Sequence, residues 1–238
     1  MSDASEQGDR AFAERLADVR GRIARAAERS GRPASAVRLV AATKSVPAAL
    51  LGPAVALGLS ELGENRVQEA AAKIPAVTPR PAAWHLIGPL QSNKARKAAA
   101  LFDCVQTIES LRLAEALDRV LGELDRPLPL PVFVEVNVSG EAAKHGVAPG
   151  EAVALAAAIR AGCPRLDLVG LMTVGPLVDD PNAARPAYRA LARLADEAGL
   201  AGRSMGMSGD FEVAIEEGAT LVRVGSALFG ARRPAAAP

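Results

Sequence analysis

Lys44 closes the apolar run Val37-Arg38-Leu39-Val40-Ala41-Ala42-Thr43, which places an amine at the end of what reads as a buried strand. A partly desolvated lysine loses its proton more readily, and the neutral amine is the nucleophile that forms a Schiff base with an aldehyde. The remaining lysines, Lys73, Lys94, Lys97 and Lys144, stand in polar or helical surroundings where a solvated ammonium is expected. The same position of Lys44 also suits a charge that ends an edge strand.

Two short segments late in the chain could hold an anion. Gly206-Met207-Ser208-Gly209-Asp210 precedes a helical pattern, so Ser208 and free backbone amides could cradle a phosphate, and Val224-Gly225-Ser226 offers a second set of amides and a hydroxyl. At Gly225 the missing side chain would let backbone approach a phosphate oxygen. Each segment is also compatible with an ordinary turn. Arg223 lies inside an apolar strand, between Val222 and Val224, and a buried guanidinium needs a partner. Against a pyridoxal ring it would meet the pyridine nitrogen as a donor only, because a guanidinium cannot accept a proton. The structural alternative is an ion pair with Glu135 or Glu64.

The elements that must carry these groups follow from hydrophobic patterning. Phe12, Leu16, Val19 and Ile23 recur at helical spacing, and Ser30-Gly31-Arg32-Pro33 supplies a stop. Strands are expected at 37–43, 59–63, 84–88, 103–108, 131–137, 166–172, 203–207 and 220–224. Helical segments are expected near 48–57, 65–73, 93–101, 110–123, 150–161, 183–198 and 210–217. Strands alternating with helices predict parallel βα units, and eight of them predict a single (β/α)8 TIM-type barrel with an extra N-terminal helix. The barrel should span 10–231, between flexible tails at 1–9 and 232–238. Active sites of such barrels gather at the C-terminal strand ends, with phosphate sites often after strands seven and eight. The expected mouth residues are Lys44, Glu64, Asn65, His85, Gly88, Thr107, Asn137, Met172, Thr173, Ser208, Arg223, Gly225 and Ser226.

Composition narrows the function classes. The 238 residues are 50% hydrophobic, enough for one large core, and 28 basic against 27 acidic side chains leave a net charge of +1. That balance gives no electrostatic reason to expect nucleic acid or an anionic membrane surface. No apolar stretch approaches a membrane span and the start lacks a signal-peptide pattern, so a cytoplasmic protein is expected. Cys104 and Cys163 show neither metal-ligand spacing nor a disulfide framework, and both are expected to be reduced and buried, with no metal site.

Ala42-Thr43-Lys44, Leu62-Gly63-Glu64-Asn65, Trp84-His85-Leu86-Ile87-Gly88-Pro89-Leu90-Gln91-Ser92-Asn93-Lys94, Gly170-Leu171-Met172-Thr173, Gly206-Met207-Ser208 and Val222-Arg223-Val224-Gly225-Ser226 follow one another in that order. With Ser139-Gly140-Glu141, Lys144-His145-Gly146 and Phe229-Gly230 they make the chain resemble the pyridoxal phosphate homeostasis proteins, over residues 37 to 231. The resemblance implies a barrel like the N-terminal domain of alanine racemase, holding pyridoxal 5′-phosphate as a covalent aldimine on Lys44. It implies a buffer or delivery role within amino-acid and keto-acid balance, with apo-enzymes that need the cofactor as acceptors. By the same analogy Ser208, Gly225 and Ser226 would hold the phosphate, Arg223 would meet the pyridine nitrogen, and Asn65 and Met172 would lie near the ring. His85 and Asn137 would be wall residues. Gly209, where the family often has a larger or acidic residue, and Phe211, where it commonly has Met or Leu, depart from the pattern.

The alternative is a cofactor-dependent amino-acid racemase. A two-base racemase needs a second acid/base group opposite the lysine, which in the alanine racemases comes from a tyrosine of an additional β domain. Here the single tyrosine, Tyr188, falls in a helical stretch where packing or surface exposure is expected. The expectation is therefore a non-catalytic carrier with no catalytic residues, and a monomer. Lys144, on a polar loop after the fifth strand, could assist transfer to an acceptor or simply be solvated. A barrel that binds some other phosphorylated metabolite, with Lys44 as a charge partner, accounts for fewer of these residues.

Overall fold

A computed structural model describes residues 3–127, 129–141 and 143–230; the expected tail at 232–238 lies outside them. Eight parallel strands close a barrel in chain order: β1 (Arg38–Ala42), β2 (Glu61–Glu64), β3 (Ala83–Leu86), β4 (Cys104–Ile108), β5 (Leu130–Glu135), β6 (Leu166–Met172), β7 (Gly202–Ser204) and β8 (Leu221–Val224). β8 pairs back onto β1, with Val40 opposite Arg223. Helix α1 (Asp3–Arg29) precedes the barrel. The connecting helices are α2 (Ala48–Ala56), α3 (Val67–Lys73), α4 (Ala95–Leu101), α5 (Leu111–Leu121), α6 (Pro149–Gly162), α7 (Arg185–Glu197) and α8 (Phe211–Glu216), and a short α9 (Ser226–Phe229) follows β8.

The strand faces divide the core in two. Residues such as Leu62, Trp84, Val132, Val134 and Val222 point outward and pack under the helices, while Val40, Cys104, Phe133, Met172 and Leu221 form a separate apolar cluster in the lumen. Because side chains alternate along a strand, Arg38, Glu61, His85, Gln106, Glu135, Ser204 and Arg223 share the lumen face. The α1 stripe of Phe12, Leu16, Val19 and Ile23 is buried as its spacing predicts, and Phe12 stacks on Phe229 of α9 with ring centroids 5.4 Å apart. Burial of each large apolar side chain contributes about 2 kcal/mol, so the stripe is enough to hold α1 on the barrel.

Several boundaries differ from expectation. α1 begins at Asp3, within the segment 1–9, where Ala4, Glu6 and Gln7 are good helix formers. β7 stops at Ser204, short of residue 207, because Gly206 turns the chain at φ +94°, outside extended backbone. Cys104 and Cys163 are free and buried. Among the described residues no helix is long and apolar enough to cross a membrane, and no cluster of His, Cys, Asp or Glu could hold a metal ion.

Candidate functional site

Ser208 and Gly225 meet at the C-terminal mouth. The amides of Gly225 and Ala227 donate to Ser208 Oγ at 3.1 and 3.3 Å, so the loop after β7 is tied to the turn between β8 and α9. Because Oγ accepts both bonds, its own O–H stays free to donate outward. Gly225 also lies against β1: an added Cβ would stand 3.2 Å from the Ala42 carbonyl oxygen. Ser226, exposed, opens α9 beside them.

The shape of the Ser208 loop depends on a group that sequence reasoning missed. Tyr188 of α7, fully buried, donates its hydroxyl to Asp210 Oδ2 at 2.6 Å, and Asp210 Oδ1 accepts the Met207 amide at 2.6 Å. Burial and the adjoining Asp210 carboxylate push the Tyr188 phenol pKa up. A lone tyrosine on an amphipathic helix, with an aspartate two residues past Ser208, was the available signal.

Arg223 is 4% exposed and points into the lumen, where Nη1 donates to Ser204 Oγ at 2.6 Å and Nη2 to the Thr173 carbonyl oxygen at 2.7 Å. Burial lowers its pKa. These two bonds leave three of its five N–H groups for other partners. Neither carboxylate considered as its ion-pair partner bonds to it. Glu64 faces outward, and Glu135, although in the lumen and 5% exposed, has a buried Oε2 with no hydrogen-bond partner. Burial raises the Glu135 carboxyl pKa to about 7, against the opposing pull of the Arg223 charge.

Lys44 corrects one expectation and Lys73 another. Lys44 sits two residues beyond the end of the strand, in a turn, and is exposed instead of partly desolvated. Ser45 directly after it takes φ +67°, a left-handed conformation costly for a residue with a side chain, which turns the chain sharply at the lysine. The amine withdrawn from solvent is that of Lys73: its side chain is 11% exposed, and Nζ donates to Glu64 Oε1 at 2.6 Å and to the Thr43 carbonyl oxygen at 2.9 Å. Thr43 Oγ1 reaches the same carboxylate at 2.5 Å. Glu64 is therefore no mouth residue but part of the layer under α3.

Asn65 follows β2, whose Gly63 pairs with Ala42, so it borders Lys44 on the neighbouring strand. Met172, fully buried in the lumen cluster, lies between Glu135 on β5 and Ser204 on β7. The structure thus brings Lys44, Asn65, Ser208, Arg223, Gly225 and Ser226 to strand ends β1, β2, β7 and β8, with Met172 beneath. His85 does not belong to the mouth. It points into the lumen toward Glu61, its Nδ1 2.9 Å from Gln106 Nε2, because its position on β3 matches the lumen parity two residues before the strand leaves the ladder.

Asn137 ties the loop after β5 to itself, its Nδ2 donating to the Glu141 carbonyl oxygen at 2.9 Å. Lys144 Nζ bonds Glu141 Oε1 at 2.5 Å and the Gly175 carbonyl oxygen at 3.0 Å, which places that loop on the rim. Across the rim, Asn65, Arg66, Gln91, Lys94, Arg112 and His145 are among the residues lining a groove of about 1170 Å³.

The chain matches the family model described as alanine racemase, N-terminal domain, over residues 15–233. It is 45% identical to the pyridoxal phosphate homeostasis protein of Pseudomonas aeruginosa over 230 residues, 93% of this chain and 96% of that one. PipY of Synechococcus elongatus, solved with PLP bound, is 38% identical at a TM-score of 0.76, covering 92% of this chain and 100% of that one. An alanine racemase of Clostridium difficile shares the fold alone, at 16% identity and a TM-score of 0.64, over 84% of this chain and 53% of that one.

Proposed function

Because this chain belongs to the pyridoxal phosphate homeostasis protein family, we propose that it binds pyridoxal 5′-phosphate at the C-terminal mouth of its barrel, holds it through a Schiff base on Lys44, and buffers or delivers it to apo-enzymes. The convergence of the Gly225 and Ala227 amides on Ser208 carries the reading. It leaves a hydroxyl proton free beside the exposed Ser226, a donor set that suits a phosphate.

The rest of the site fits the same group. Arg223 has N–H groups left over and can only donate, which suits an unprotonated pyridine nitrogen. Asn65 stands beside the lysine and Met172 supplies an apolar floor. When bound, pyridoxal phosphate supplies an aldehyde that exchanges reversibly between primary amines. An exposed Lys44 lets the ligand load and leave without opening the barrel.

A carrier in place of an enzyme is supported by Tyr188. Its hydroxyl is buried on Asp210, so the chain's one tyrosine cannot serve as the second base of a racemase. The carrier is proposed to act in the cytoplasm as a monomer.

The test is a visible spectrum of the purified protein before and after borohydride reduction, with peptide mass analysis, on the wild type and Lys44→Ala. A reduced adduct on Lys44, absent from the variant, is expected. No adduct after adding pyridoxal phosphate would overturn covalent binding, and amino-acid turnover lost in Lys44→Ala would establish the racemase alternative.

A further inference from the structure

A continuous chain of polar side chains crosses the barrel lumen. Arg38, at the N-terminal end, donates Nε and Nη2 to the two Glu61 oxygens at 2.9 Å each. Glu61 Oε2 lies 3.1 Å from His85 Nε2, close enough to attract its proton though not along a well-aligned hydrogen bond. His85 Nδ1 is 2.9 Å from Gln106 Nε2; Gln106 Oε1 accepts from Ser204 Oγ at 2.7 Å; and Ser204 Oγ accepts from Arg223 Nη1 at 2.6 Å. His85, Gln106, Ser204 and Arg223 are all buried.

With the Gln106 amide oxygen turned toward Ser204, the donors and acceptors run in one direction. Arg223 must donate, so Ser204 accepts from it and turns its own proton to Gln106 Oε1. That places the Gln106 amide N–H against His85 Nδ1, which must then be the acceptor, and leaves the imidazole proton on Nε2, facing the Glu61 carboxylate. Each member fixes the next, from the imidazole to the guanidinium.

We propose that Gln106 and His85 are positioning residues which, through Ser204, fix the direction in which Arg223 presents its free N–H groups to the pyridine nitrogen. The inference rests on the mouth being a pyridoxal 5′-phosphate site. Neither residue reaches the mouth, so they act on the ligand through the guanidinium alone.

The first measurement needs no ligand and leaves every member of the chain of side chains unaltered. The chain has two histidines, so nitrogen-15 NMR of histidine-labelled protein, assigned with His145→Gln, reads the tautomer of His85 directly. The proton is expected on Nε2; a proton on Nδ1 would overturn the polarity and the proposal. The second measurement is a double-mutant cycle read by pyridoxal phosphate titration. Gln106→Leu should weaken binding by about fivefold to tenfold, the equivalent of one lost hydrogen bond. In an Arg223→Lys background it should change affinity by less than about twofold, because the group it orients is gone. Equal losses in both backgrounds would make Gln106 a packing residue only. A wild type that binds no pyridoxal phosphate would remove the site assignment itself, and the inference with it, while the histidine spectrum still decides whether the chain has the stated polarity.

Discussion

Lys73 and Glu64 form an ion pair of 2.6 Å on the outer face of β2, and the same ammonium holds the carbonyl oxygen of Thr43, the residue before Lys44. The buried amine therefore anchors the strand end from which the exposed amine projects. Lys73→Met should strand an unpaired carboxylate under α3, costing about 3–5 kcal/mol in urea unfolding. Lys73→Met with Glu64→Gln should recover most of that loss. A single variant as stable as the wild type would show that the pair holds nothing.

Glu135 makes stability fall toward alkaline pH. With its pKa raised to about 7 by burial, the native carboxyl keeps a proton that the unfolded chain has already released. Its contribution is fully present below the unfolded value, near about 4.3, and is lost as pH rises through the native one, at most on the order of 3 kcal/mol. Glu135→Gln should therefore gain stability over the wild type at pH 8 and flatten the profile between pH 5 and 8. Parallel profiles for the two proteins would mean that the carboxyl is not held neutral in the folded state.

Tyr188→Phe removes the hydroxyl that steadies Asp210, and with it the Met207 amide and the turn of the Ser208 loop. A loss of about 1–3 kcal/mol in stability is expected, because the buried carboxylate is left one donor short. Pyridoxal phosphate affinity should fall in parallel; unchanged affinity would separate the loop from binding.

Lys144 sits on the rim, its ammonium bonded to Glu141 and to the Gly175 carbonyl oxygen after β6. If this lysine receives the aldehyde during transfer, Lys144→Ala should slow delivery to an apo-enzyme several-fold while the Lys44 adduct still forms. Equal rate and extent of transfer would end that role.

The strand order was legible because eight apolar runs such as Val132-Phe133-Val134 are interrupted at regular intervals by helical patterns and turns. The directions of side chains were less so. Glu64 and Asn65 are consecutive in the sequence, yet Glu64 closes β2 on its outer face while Asn65 follows the strand end and lines the rim groove. His85 was placed at the mouth for the same reason, although it faces Glu61 and Gln106 inside the lumen. Lys73 was read as a surface charge because its partners, Thr43 and Glu64, come from different strands and carry no local signal. Lys44 stands out in the sequence by its place at the end of an apolar run, but the turn at Ser45 that exposes it has no such signature.

The pairing of β8 with β1 has a consequence for the order of folding. Lys44 follows the first strand, whereas Arg223, Gly225 and Ser226 belong to the last strand and the turn after it, so the two halves of the proposed site meet only when the ring of strands closes. That contact joins residues far apart in sequence and is among the most entropically expensive to form. On the proposed site, a partly folded chain would be blind to pyridoxal phosphate, and a molecule bound across the junction would add its affinity to the closed ring alone. Ligand occupancy should thus slow the first parting of the ring more than it hastens its assembly.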